Sequence, residues 1–339
     1  MKKITIFVAV ILMASLTQAK KLADLPEVEK PFSIVVDKGQ LFVSDHTVTL
    51  HIYSMKDFKY TKQVSQKGEG PGEFRHTPFF AVYPDDFFVY TGGKCMYFSR
   101  KGDYKKEFKI NSMGVKMISP LGKNFVVNRR GVNQKTGYHF SKFILYTYTE
   151  EKGIEYKGLL YYIEPRKVTN RKKPDYPVIS PWFYFIVHED KVFIGDPSRG
   201  LFVQVFDSEG SEIGTIQNLE VPRRKITAQY KKKHMDKMKK SRHFNTVNNM
   251  YNIVFPEYFP DFYRFGVNNG KIYFLTYNQK DDLREIYITD FTGKMLKKTY
   301  VPFVENDVHM HFSIVDDKFY YIMENEETEM WELHMVEIK

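Results

Sequence analysis

Ile34-Val35-Val36-Asp37-Lys38-Gly39-Gln40-Leu41-Phe42-Val43 decides the fold. Two apolar runs flank a polar turn whose residues tolerate positive φ, which is the pattern of a β-hairpin. The same phrase returns from Ala81 to Val89, Met117 to Val126, Ile186 to Ile194, Gly266 to Phe274 and Ser313 to Tyr321. A third strand with its own turn follows each copy: His51 to Ser54, Met96 to Gly102, Phe143 to Tyr146, Val203 to Gly210, Ile286 to Gly293 and Trp331 to Met335. A fourth strand fits after the first five, for example Glu212 to Leu219 or Lys297 to Phe303. Six repeats of four antiparallel strands predict an all-β, six-bladed β-propeller. The sixth copy stops after its third strand, so Leu22 to Lys30 is expected to supply the missing outer strand and close the ring.

Composition agrees. Of 339 residues, 42% are hydrophobic and 27% charged, which suits a folded globular chain rather than a disordered one. Aromatics reach 16%, as a strand-rich protein favours, with 24 Tyr and 29 Phe against 2 Trp. Cys95 is the single cysteine, which excludes an intrachain disulfide and a Cys-rich zinc module; within Cys95-Met96-Tyr97-Phe98 it reads as a small buried hydrophobe. Lys2 and Lys3, the uncharged run Ile4 to Leu16, and Thr17-Gln18-Ala19 predict a secretory signal over 1–19. The apolar run would rise only about 20 Å as a helix, too short to span a bilayer. No cysteine follows the cleavage point for lipid attachment. The expected mature chain is therefore one exported, periplasmic or extracellular domain over 20–339, not a lipoprotein and without a transmembrane span.

Val43-Ser44-Asp45 and Ile194-Gly195-Asp196, each before a third strand, resemble repeats of the NHL type. Gly68-Glu69-Gly70-Pro71-Gly72-Glu73-Phe74 resembles the G-x-G-P-G-E-F signature of bacterial exported proteins known only as six-bladed β-propellers. A helical insertion ending in Phe255-Pro256-Glu257-Tyr258-Phe259-Pro260 is similar to that family as well. The resemblance implies a fold and an exported location, and brings no established activity or catalytic residues. By its chemistry the Gly/Pro segment predicts a sharp crossing between blades; it lacks the Lys-Ser/Thr ending of a P-loop.

In such blades the strand-two-to-three link and the link to the next blade leave by one face. Every long addition falls in that class: Arg129 to His139 in blade three, Pro165 to Pro181 between blades three and four, and a helical insertion over 221–262 between blades four and five. Loops on one face of a rigid scaffold are where binding residues accumulate. Charge gathers there too. Arg223, Arg224, Lys225, Lys231, Lys232, Lys233, Lys237, Lys239, Lys240 and Arg242 are opposed only by Asp236, so this stretch carries +9 while the whole chain carries +10. Arg166, Lys167, Arg171, Lys172 and Lys173, with Arg129, Arg130 and Lys135, extend the basic surface. The lysines read equally as the solvated side of an amphipathic helix packed through Ile226, Tyr230, Met235 and Met238, or as an anion-binding surface.

Weaker constellations are His309-x-His311, at a spacing that suits metal binding on a strand, and the acidic link Glu324, Glu326, Glu327 and Glu329. Trp182-Phe183-Tyr184 reads as inner-strand packing or as a sugar platform. Two functions compete. The first is a non-catalytic binding propeller, with no cofactor, that takes an unknown protein or an anionic polymer or membrane surface on its basic face. Nothing beyond charge points to nucleic acid. The second is a metal-dependent lactonase- or lyase-like enzyme at the channel mouth, for which Asp45, Asp196 and His188 have suitable chemistry.

Overall fold

The Asp37-to-Gln40 turn closes as its residues dictate: Lys38 and Gly39 both take positive φ, at 42° and 75°. This is the hairpin turn whose twist matches the flanking strands. Glu189-Asp190, Asn269-Gly270 and Asp316-Asp317 repeat it in three other blades. Blade two differs because Pro84 fixes a negative φ; there the Tyr83 N–H closes the turn on Asp86 O at 2.8 Å.

The computed structural model describes residues 19–111, 113–132, 138–167, 173, 175–218, 221–280, 283–302 and 312–338. After β1 (Lys20–Asp24), blade one comprises β2 (Pro31–Asp37), β3 (Gln40–Asp45), β4 (Thr49–Ser54) and β5 (Tyr60–Val64). Blade two is β6 (Phe79–Val82), β7 (Asp86–Thr91), β8 (Lys94–Ser99) and β9 (Tyr104–Lys109). Blade three is β10 (Val115–Leu121), β11 (Asn124–Val132), β12 (Tyr138–Thr149) and β13 (Gly153–Lys167). After β14 (Asp175–Pro177), blade four is β15 (Tyr184–His188), β16 (Lys191–Gly195), β17 (Leu201–Phe206) and β18 (Glu212–Asn218). The insertion holds α1 (Ala228–Lys239), α2 (Phe244–Met250) and β19 (Asn252–Val254). Blade five is β20 (Arg264–Asn268), β21 (Lys271–Lys280), β22 (Leu283–Asp290) and β23 (Met295–Val301). Blade six is β24 (Phe312–Val315), β25 (Lys318–Asn325) and β26 (Met330–Glu337), completed by β1.

The innermost strands neighbour one another in the order β2, β6, β10, β15, β20, β24 and back to β2, so the ring is closed. This is a six-bladed propeller. Its core is divided into six hydrophobic clusters, each lying chiefly between two adjacent blades. Phe42, Phe87 and Phe98, for example, pack blade one on blade two, and Phe143 and Phe185 pack three on four. Aromatic rings from facing blades fill these flat seams, which accounts for the composition. Cys95 is fully buried in the seam between blades two and three, and burial pushes its thiol pKa up.

Closure uses an earlier segment than Leu22 to Lys30. Lys20 pairs with Met335 and Asp24 with Glu332. One more hydrogen bond, from the Leu25 N–H to Trp331 O at 2.8 Å, ends the pairing, because Pro26 has no N–H to give and because Leu25 and Val28 turn inward, 1% and 4% exposed, to plug the seam between blades six and one. Blade three also differs from expectation. Arg129 to Val132 continue β11, and Pro165 to Lys167 continue β13, so much of its addition is extended sheet rather than loop. Pro165 falls in the register shift between Ile163 and Arg166, where an outer strand tolerates a missing donor.

Glu332 fastens the closing strand. Its carboxylate accepts from Asn325 Nδ2 at 2.8 Å, Lys21 Nζ at 2.6 Å and His334 Nε2 at 2.8 Å. These hydrogen bonds, led by that from Asn325, hold its pKa down to about 2, below the ordinary value of about 4.3. A depressed carboxylate contributes stability that is present above the unfolded pKa and lost as pH falls through the folded one. Hydrogen-exchange protection of the β1–β26 pairing should therefore weaken between about pH 4 and pH 2. Glu332→Gln should flatten that dependence; identical profiles for the two proteins would rule out this latch.

Candidate functional site

Antiparallel order within each blade sends the two-to-three and inter-blade links to one end of the ring, and the additions meet there. β14, from the link between blades three and four, pairs in parallel with β19 of the insertion: Asp175 with Asn252, Tyr176 with Ile253 and Pro177 with Val254. Asn252 Nδ2 also donates to Lys173 O at 2.8 Å. Two basic segments from different blades are thus tied into one ledge.

Helix α1 starts where Thr227 accepts the Tyr230 N–H. Lys237 and Lys239 in its last turn suit the negative end of the helix dipole. It docks through Tyr230, edge-on to Phe259 at 4.9 Å, while Ile226 just before it is buried. The other side carries Gln229, Lys232, Lys233, Asp236, Lys237 and Lys240 on a shallow open surface. Lys232, Lys233, Lys239 and Lys240 are exposed, and neither they nor Lys231 makes an ion pair among the described residues. Of the expected stripe, Ile226 and Tyr230 pack on the core, Met235 and Met238 join no core cluster, and the lysine side faces solvent.

The remaining candidates divide. Arg223 pairs with buried Asp261 at 3.1 Å, and Arg224 lies over Phe259 and donates to Tyr277 O, so both brace the base of the insertion. Lys225 reaches Glu257 at 3.4 Å. Arg129 stacks over Tyr146 and donates to Asn111 O at 3.0 Å. Arg166 and Lys167 pair by backbone with His139 and Tyr138 at the end of β13, and only their backbone is described. Arg171, Lys172, Lys135 and the His309–His311 pair lie outside the described residues.

Arg130 has a different setting, which the sequence did not signal. Its guanidinium lies over the Trp182 ring at 4.8 Å, and the Arg264 guanidinium lies 5.1 Å from the centre of the same ring. Arg264, 4% exposed, also faces Tyr184 and Tyr263 at 5.0 and 5.4 Å. Arg130 Nη2 donates to Phe183 O at 3.1 Å. Its Nε is buried without a hydrogen-bond partner among the described residues. Burial, and then the charge of Arg264, push the Arg130 pKa below its usual range. Trp182 and Arg264 stand at the starts of inner strands β15 and β20, so this cluster lies near the axis on the same face as the ledge.

Asp45, Asp196 and His188 do not converge. Asp45 accepts the Glu29, Lys30 and Thr47 N–H groups, and Asp196 accepts from Ser198 and Tyr161, so each shapes its own link. They belong to blades one and four, opposite in the ring, and His188 ends β15 at the other face. Arg199 lies over Phe202 of its own blade at 3.8 Å and donates to Tyr161 OH of blade three, tying the two blades together. Glu324, Glu326, Glu327 and Glu329 are exposed around a turn in which Asn325 accepts the Glu327 and Glu329 N–H groups. No group of three or more His, Cys, Asp or Glu side chains converges among the described residues.

The Gly68-to-Phe74 segment is a loop wrapped around Glu73. Its carboxylate accepts the Gly70 N–H at 2.8 Å and Gln66 Nε2 at 3.1 Å. A Cβ on Gly68 would lie 2.1 Å from Glu73 Oε2, so a side chain there would push the carboxylate off Gly70 and Gln66. Phe74 is fully buried in the seam between blades one and two. Lys94, 1% exposed, donates to Gly70 O at 2.7 Å and Glu73 O at 3.0 Å from below.

No family model matches the chain, and no curated protein does. Among solved structures, the chain is similar to the computationally designed Ika8 protein, at 7% identity and a TM-score of 0.44, over 92% of this chain and 98% of that one. Among the described residues, no helix is long and apolar enough to cross a membrane.

Proposed function

We propose that the protein is an exported, non-catalytic binding propeller, of the NHL-like kind that carries the G-x-G-P-G-E-F loop, and that its decorated face takes an anionic polymer or membrane surface. The observation that carries this reading is that Lys231, Lys232, Lys233, Lys239 and Lys240, on or just after α1, make no ion pair among the described residues, on a helix held to that face by Tyr230 and Phe259. A helix needing only solubility is served by mixed charge; here Asp236 is the one acid in the segment from Val221 to His243. Like charges crowded on one surface raise the local potential and attract a polyanion.

The test titrates the mature protein against vesicles containing anionic phospholipid and, separately, against an acidic polysaccharide. Beside it runs a variant with Lys231, Lys232, Lys233, Lys237, Lys239 and Lys240 changed to Gln. Binding to one of the two is expected, weakening with salt as screening shortens to about 10 Å at 0.1 M. The variant should bind at least a hundredfold more weakly, since each lysine near an anionic surface contributes about 1 kcal/mol and a hundredfold loss needs only about 2.7 kcal/mol from the six. Salt-insensitive binding, or equal binding by the variant, would return the lysines to a solubilising role.

A further inference from the structure

Arg130 is a largely covered cation with little to balance it. It has one backbone carbonyl as partner, an orphaned Nε, an indole beneath it and a second guanidinium across the same ring. No carboxylate pairs with it among the described residues. Covering a charge without a counter-charge is costly, so such an arrangement is retained where a ligand supplies the missing anion. An aromatic wall restricts water, and guanidinium forks match the planar or tetrahedral oxygens of an oxyanion. Trp182, partly exposed, forms the floor, while buried Tyr184 fixes the start of β20 by accepting the Phe265 N–H and donating to Phe265 O.

We infer that Arg130 and Trp182, with the charge of Arg264 beside them, form a subsite for one oxyanion group, a carboxylate or a phosphate, on a ligand that enters from the decorated face near the propeller axis. The subsite deepens the binding reading of that face but does not use the α1 lysines. Three side chains from positions 130, 182 and 264 build it, each from a different blade or its lead-in.

Trp182 reports on its own occupancy. The chain has 2 Trp, and the other, Trp331, donates to Glu29 O by blade six, across the ring from blade three. In a Trp331→Phe background, Trp182 fluorescence and the Tm are followed as sodium phosphate or succinate replaces chloride at constant ionic strength. A saturable fluorescence change and a raised Tm are expected with at least one of the two. Phosphate alone identifies a phosphoryl ligand, and succinate alone a carboxylate. Arg130→Gln should weaken binding about tenfold or more, without lowering the Tm of the anion-free protein, because it removes an uncompensated charge. Arg130→Lys keeps the charge but loses the fork, and should bind with intermediate affinity. The six-lysine variant should titrate like its parent, so failure of polyanion binding and failure of this subsite are distinguishable. No saturable change with either anion overturns the site, as does unchanged binding by Arg130→Gln. If Arg130→Gln loses both binding and anion-free stability, retained binding by Arg130→Lys supports the site, and equal losses there overturn it.

Discussion

Lys94→Ala is expected to destabilise the protein by about 3–5 kcal/mol, the cost of breaking a buried ion pair from one side. Lys94 opens β8 at 1% exposure; its ammonium donates to Gly70 O and Glu73 O and forms an ion pair with Glu107 Oε2 at 3.3 Å. Glu107 Oε2 in turn accepts the Gly72 N–H at 3.2 Å. Removing the ammonium strands two loop carbonyls and a carboxylate together, and the loop that seats Phe74 loses its support. Lys94→Met restores volume but no donors, so it should recover only part of the loss. Glu107→Gln in the Lys94→Ala background should recover more than it does alone, since it removes the stranded charge. Urea denaturation of the unsubstituted protein and these four variants measures the differences. A change below about 1 kcal/mol for Lys94→Ala would mean that water replaces the ammonium and that the loop stands without it.

A chain beginning after Val28 should lose a comparable amount and gain a second defect. Leu25 and Val28 leave the seam between blades six and one, at about 1.5–3 kcal/mol for each fully buried side chain. The edge of β26, paired along its length from Lys20↔Met335 to Asp24↔Glu332, is then bare. Unpaired edges recruit other strands, so the truncated protein should self-associate as its concentration rises. Light scattering after size-exclusion chromatography reads the association, and denaturation reads the stability. Adding a peptide of residues 20–30 should reverse both effects. A monomer with an unchanged unfolding midpoint would show that the ring closes adequately through three strands in blade six.

The hairpins were legible because their causes are local. Lys38-Gly39 and Asn269-Gly270 take the positive φ that their side chains permit, and the nearly continuous burial along β3 and β21 follows from their unbroken apolar runs, covered on both faces. The helix cap at Thr227 and the Ile226–Tyr230 spacing are equally local. Arg129-Arg130-Gly131-Val132 reads as loop by composition, yet it continues β11 because β12 already offers a ladder opposite it. The closing strand was placed too late, because its pairing partner lies at the other end of the chain. Lys94 gave no sign of burial, since nothing near it reveals that a loop some twenty residues earlier would cap it.

By itself the sequence determined the blades, their number, the face that carries the additions and the helix that bears the lysines. Each depends on turn conformation, apolar runs or charge within a few residues. Only the tertiary structure decided that β14 and β19 join two links, that Arg223 and Arg224 brace the fold, and that Arg130 and Arg264 share Trp182. Those relations depend on distances between blades, and ring closure fixes such distances only after every seam has packed.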